Sequence, residues 1–138
     1  MATFNKFQSF VEAVAEKAHN LGSDQLKVAL TNGAPLATNT VVANLTQISY
    51  DNLSGANPLN ITTTSSAQTS GTYKLVLADL VLTATGEVGP FRYITLYNDT
   101  ATNKELIGFY DYGSSITLLT GETFTIDFSA DDGVLTLA

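Results

Sequence analysis

Thr123-Phe124-Thr125-Ile126-Asp127-Phe128 is the stretch on which the fold turns. Successive side chains of an extended chain point to opposite faces. Phe124, Ile126 and Phe128 therefore fall on one side and Thr123, Thr125 and Asp127 on the other, the pattern of a β-strand with one wet face. Thr120-Gly121 before it and Asp132-Gly133 after it are hairpin turn signals, because glycine enters the left-handed region without a Cβ penalty.

Outward from this strand, short strand-like runs recur between glycine and asparagine turns: Leu59 to Ser65, Gly71 to Thr85, Gly89 to Asn98, Glu105 to Tyr112, Ser115 to Leu119, Glu122 to Phe128 and Gly133 to Leu137. Residues 25–31 add a first strand in which Leu26, Val28 and Leu30 share a side. The spacing predicts a mainly β chain, a single antiparallel β-sandwich or jelly-roll-like barrel of about seven to eight strands.

Two segments break the pattern. Over residues 3–20, Phe4, Phe7, Val11, Val14, Ala18 and Leu21 recur at three- and four-residue spacing, which predicts one N-terminal amphipathic helix closed at Gly22. The sole histidine, His19, would then cap carbonyls in its last turn. Residues 36–58, after the Asn32-Gly33-Ala34-Pro35 turn, read as a long irregular excursion, with Val42, Leu45 and Ile48 spaced for a short helical turn. Residues 59–138 form the antiparallel β region, and the 138 residues fit one domain.

Phe91-Arg92-Tyr93-Ile94-Thr95-Leu96-Tyr97 is apolar or aromatic on both faces, with Ile94 and Leu96 on one and Phe91, Tyr93 and Tyr97 on the other. Leu106 to Tyr112 behaves in the same way. Two explanations stand side by side: a second face covered by the helix or the excursion, or a subunit interface. The candidate interface residues are Phe4, Phe91, Tyr93, Tyr97, Tyr110 and Tyr112, since tyrosine suits surfaces where one end is apolar and the other wet.

Composition narrows the chemistry. There is no cysteine, which removes disulfides, thiolate metal sites and cysteine nucleophiles together. Six basic residues stand against 13 acidic ones, a net charge of −7, and the cations are scattered, so direct nucleic-acid recognition is not expected. No run reaches the about 18 apolar residues of a membrane span, and no secretory signal pattern opens the chain, so neither membrane contact nor export is expected. Charged residues are only 14% of the chain, which suits a subunit packed against neighbours and equally a small, self-contained β domain.

No catalytic pattern is visible. A hydrolytic triad would have to use His19, and no G-x-S-x-G elbow occurs. Asp111, Glu122, Asp127, Asp131 and Asp132 are the carboxylates that glycoside hydrolysis would need, but the last three belong to a turn, where aspartate bonds its own backbone. The same Asp127, Asp131 and Asp132 do not match the spacing of an EF-hand. Gly86-Glu87-Val88-Gly89-Pro90 lacks the lysine of a phosphate loop. The expectation is a protein that is not an enzyme and needs no cofactor or metal.

The opening Phe4-Asn5-Lys6-Phe7, Leu26 to Asn32, Thr62 to Lys74, Gly89-Pro90-Phe91-Arg92-Tyr93 and Tyr110 to Ser115 resemble small structural proteins of tailed bacteriophages and prophages. The resemblance spans most of the chain and carries no mechanistic motif. It implies a virion protein assembled in the host cytoplasm, with the major capsid protein or other virion proteins as partners, and a homo-oligomer, a trimer above other states. Within that setting the foremost expectation is a capsid decoration or cement protein, and the alternative is a tail-tube or head–tail connector subunit. From another class, a carbohydrate-binding adhesin module would use Tyr93, Tyr97 or Tyr110 as sugar platforms.

Overall fold

The computed structural model describes residues 3–138. Its elements run β1 (Phe4–Lys6), α1 (Gln8–Ala15), β2 (Leu26–Thr31), a 3-10 turn (Val42–Asn44), β3 (Asn60–Ile61), β4 (Thr63–Thr69), β5 (Thr72–Leu77), β6 (Leu80–Thr83), β7 (Val88–Asn98), β8 (Leu106–Leu118), β9 (Thr123–Ile126) and β10 (Leu135–Leu137). Strand makes up 46% and helix 8%, so the fold is mainly β and sandwich-like, with one helix near the N-terminus. Among the described residues three antiparallel sheets form, in the orders β1-β8-β7-β2-β3, β10-β5-β4 and β6-β9.

The alternation in β9 is obeyed: Ile126 and Phe128 are buried, Phe124 is half-buried, and Thr123, Thr125 and Asp127 face water. Both flanking glycines adopt positive φ, Gly121 at 85° and Gly133 at 76°. Neither turn closes a hairpin, however, because β9 pairs with β6 and β10 pairs with β5. After Leu118 the chain leaves the large sheet, and the turn there is clasped by Ala84, whose carbonyl accepts from Gly121 N at 2.7 Å and whose N–H donates to Glu122 O at 2.9 Å. The crossing lays Phe124 edge-on against Phe91, ring centres 5.6 Å apart.

Strand boundaries shift from expectation where glycine and aspartate act differently. Residues 105–112 and 115–119 are one strand, β8, carried through Gly113 at φ +83°. Residues 71–85 divide into β5 and β6 at Ala78-Asp79, where the Asp79 carboxylate accepts from Phe128 N at 3.0 Å.

The expected helix over 3–20 is shortened at both ends. Phe4–Lys6 joins the large sheet as β1, with Phe4 opposite Tyr110, and Phe7 N extends the contact by donating to Ile107 O at 3.1 Å. The helix stops at Lys17, not Gly22: Lys17 takes φ +68°, its N–H donates to Val14 O and the Ala18 N–H reaches back to Ala13 O at 2.9 Å, the paired bonds of a Schellman close. Phe10 is the helix's buried residue, while Val11, expected on the packed stripe, is 56% exposed.

The main core gathers Leu26, Val28 and Leu30 of β2, Ile94 and Leu96 of β7, Leu75 and Leu77 of β5, and Leu82 and Ile126 of the two-stranded sheet. A second cluster lies on the other face of the large sheet, where Phe7, Ala29, Tyr97 and Leu106 are covered by Val42 and Leu45. The excursion is thus a cover. It is strapped to β2 through Leu30, whose carbonyl accepts from Ile48 N at 3.0 Å and whose N–H donates to the Tyr50 hydroxyl at 2.9 Å.

Candidate functional site

The two-faced strands β7 and β8 are central in their sheet, which buries half of their aromatic residues. A β-bulge between Phe91 and Tyr93 turns Phe91 to the same side as Ile94 and Leu96. Phe91 is consequently 0% exposed, in the main core and not beside Tyr93 as simple alternation implies. Tyr110 stands opposite Ile94 and is 5% exposed, packed by Phe4 at 5.3 Å and Phe128 at 6.2 Å, and burial pushes its phenol pKa up. Tyr97 is 7% exposed in the second cluster, its phenol raised by burial and by Asp99. Phe91, Tyr97 and Tyr110 are therefore corrected from interface candidates to core residues, and the latter two are lost as sugar platforms.

Phe4, Tyr112 and Tyr93 keep partial exposure. Phe4 lies over Gly108, where any side chain would collide with its ring. Tyr112 packs edge-on to Phe124 at 5.3 Å, and burial raises its phenol. Tyr93 differs because a charged group holds it in place. The Arg92 guanidinium sits 5.2 Å from its ring centre and donates through Nε to Asp111 Oδ1 at 2.8 Å and through a second nitrogen to Oδ2 at 3.1 Å. Gly113 N adds a bond to the same carboxylate at 2.8 Å, and the Arg92 pairing holds Asp111 below the usual carboxylate range. A half-exposed tyrosine, an arginine and its carboxylate thus form one pre-ordered surface unit.

A second feature went unread in the sequence. The loop after α1, the β4–β5 hairpin and the Thr100–Glu105 segment enclose a cleft of about 860 Å³ whose polar lining includes Lys17, Asp24, Tyr73, Asn103 and Glu105. Buried Asn98 organises one wall. Its Oδ1 accepts from Thr100 N at 3.0 Å and Ala101 N at 3.1 Å, which orients the amide so that Nδ2 donates to Asp24 Oδ2 at 2.7 Å and to His19 Nδ1 at 3.0 Å. His19 therefore does not cap the helix. It accepts through Nδ1, the neutral ring's proton sits on Nε2, and that atom has no partner among the described residues. Burial lowers the His19 pKa against the opposing pull of Glu105 and Asp24.

The chemistry of this cleft is limited by its pairings. No hydroxyl is hydrogen-bonded to His19 among the described residues, and the Ser66 hydroxyl is bonded instead to that of Tyr73 at 2.7 Å. Asp127 and Asp132 serve the turn at Ser129, accepting from its N–H at 2.8 Å and its hydroxyl at 3.5 Å. Among the described residues no group of three or more histidine, cysteine or acidic side chains is placed to hold a metal ion, and no helix is long and apolar enough to cross a membrane.

Asn98 is 79 residues from His19 and 74 from Asp24 in the chain where it meets them. Only the closeness of His19, Asn20 and Asp24 in the chain signalled half of the cluster. No protein-family model, curated protein or solved structure matches this chain.

Proposed function

We propose that this chain is a non-enzymatic structural subunit of a tailed-phage virion, a capsid decoration protein that works by adhesive contact with the major capsid protein. The observation that carries the surface-acting part of this reading is the Tyr93–Arg92–Asp111 unit. Tyrosine and arginine dominate binding hot spots, and a pair already held in one geometry loses little side-chain entropy on docking. The low charge of the chain, 14%, reduces the desolvation that a large contact would require. The virion setting rests on the resemblance in Leu26 to Asn32, Thr62 to Lys74 and Tyr110 to Ser115.

Purified protein mixed with immature and with expanded capsids of the phage that encodes it tests the assignment. Decoration requires co-sedimentation with expanded capsids and at least a tenfold weaker association for Tyr93→Ala, about 1.4 kcal/mol. Rings of fixed diameter or tubes under negative stain, without capsid binding, would establish the tail-tube or connector alternative. Binding on a glycan array in place of capsid binding would establish the adhesin class.

A further inference from the structure

Exposed sheet edges are usually kept short, charged, broken by proline or covered, because a free row of N–H and C=O groups templates another strand. Most edges here obey this: β1 and β10 have three residues, β3 has two, and β6 and β9 have four each. β4 does not. It is seven residues long, Thr-Thr-Ser-Ser-Ala-Gln-Thr, and contains no charge and no proline.

β4 ends its sheet with β5 on one side, and no backbone hydrogen bond among the described residues reaches its outer side over Thr64–Thr69. A bulge lies between Thr63 and Ser65, but from Ser65 to Thr69 the register with β5 runs unbroken to the hairpin tip. Ser65, Ala67, Gln68 and Thr69 are exposed.

We propose that β4 is a self-association edge: two copies pair their Ser65–Thr69 segments antiparallel about a twofold axis, joining two three-stranded sheets into one of six strands. A second copy is the occupant that the chemistry favours. Two chains of net charge −7 repel at most surfaces, and this edge is a long segment that sets no like charges face to face. Antiparallel pairing about a twofold is self-complementary, each copy offering the same row of donors and acceptors. The serine and threonine side chains brought opposite one another add cross-strand hydrogen bonds. This deepens the reading of the chain as a structural subunit and makes the pair, not the trimer, its unit of assembly.

Sedimentation equilibrium of the full chain over a range of concentrations is expected to show a monomer–dimer equilibrium. Ala67→Lys and Ala67→Glu should each weaken the dimer at least about tenfold, since like charges then face each other near the axis. Circular dichroism matching the parent protein shows that each variant is folded, and an equimolar mixture of the two should recover the dimer. Parent protein that stays monomeric, or a dimer indifferent to both substitutions, would overturn the proposal, as would a monomer that binds an added extended peptide along β4. A monomer that still coats expanded capsids overturns the self-pairing alone. A dimer broken by Ala67→Lys that never binds capsids supports the pairing and removes the decoration reading.

Discussion

Replacing Phe91 with alanine separates a core residue from an interface residue. Its ring is fully buried and meets Phe124 edge-on at 5.6 Å with an interplanar angle of 81°. Truncating a buried phenylalanine costs about 3–5 kcal/mol, from lost transfer energy and the cavity left behind. At roughly 0.05–0.15 kcal/mol per residue, a chain of this length has a total stability of about 7–20 kcal/mol. Phe91→Ala therefore removes between about one-seventh and seven-tenths of it and lowers Tm by about 10–17 °C. Urea unfolding followed by circular dichroism reads the change, with the midpoint falling and the slope unchanged. Tyr93→Ala, at a half-exposed position beside Arg92, should cost under about 1 kcal/mol in the same assay. If Phe91→Ala left stability within about 1 kcal/mol of the parent while Tyr93→Ala cost more, the bulge would not turn Phe91 inward and the division of the aromatic residues would be wrong.

Two further outcomes follow from single side chains. Burial lowers the pKa of His19, so its folded proton affinity lies below that of the unfolded chain, about 6.5. The unfolded chain then binds more protons, and stability is complete above pH 6.5 and declines as pH falls from there toward the folded value. Unfolding midpoints measured between pH 7.5 and 5.5 should show this decline in the parent and lose it in His19→Gln; equal slopes in both would remove His19 from the account. Lys17 closes α1 at φ +68°, where a Cβ is strained, so Lys17→Gly should stabilise by about 1 kcal/mol and raise Tm by about 2–4 °C. A loss of stability on that change would mean that the Lys17 side chain makes a stronger contact than the strain it brings.

The parts of the fold that were legible are those decided within a few residues. β2 was readable at Leu26–Thr31 and β9 at Thr123–Ile126 from the alternation of apolar residues, which in β9 matches one buried and one wet face. In β2 the second face is buried too, with Ala29 and Thr31 on the excursion's side of the sheet. The short turn in the excursion was likewise visible in the spacing of Val42, Leu45 and Ile48, and forms over Val42–Asn44. The helix was overextended because Phe4 and Phe7 fit a helical stripe as well as they fit a strand and its exit. Pairing with β8 decides between them, and Tyr110 and Ile107 are about a hundred residues away in the chain. The candidate site was legible only in kind. Tyr93 and Tyr112 keep part of their surface, whereas Phe91 and Tyr110 look equivalent to them in the sequence and are buried.

The chain's own residue pattern thus determined the class of the protein: alternating apolar strands, glycine turns, one helical segment, no cysteine and little charge. Local rules suffice for these, since alternation and turn chemistry depend on neighbours in the chain. Only the tertiary structure decided which strand meets which, that a bulge sends Phe91 inward, that Asn98 gathers His19 and Asp24, and that β4 is left as a long uncharged edge. Those outcomes depend on partners brought together across the chain, and a pleat of period two places a side chain on a face without saying what will cover that face.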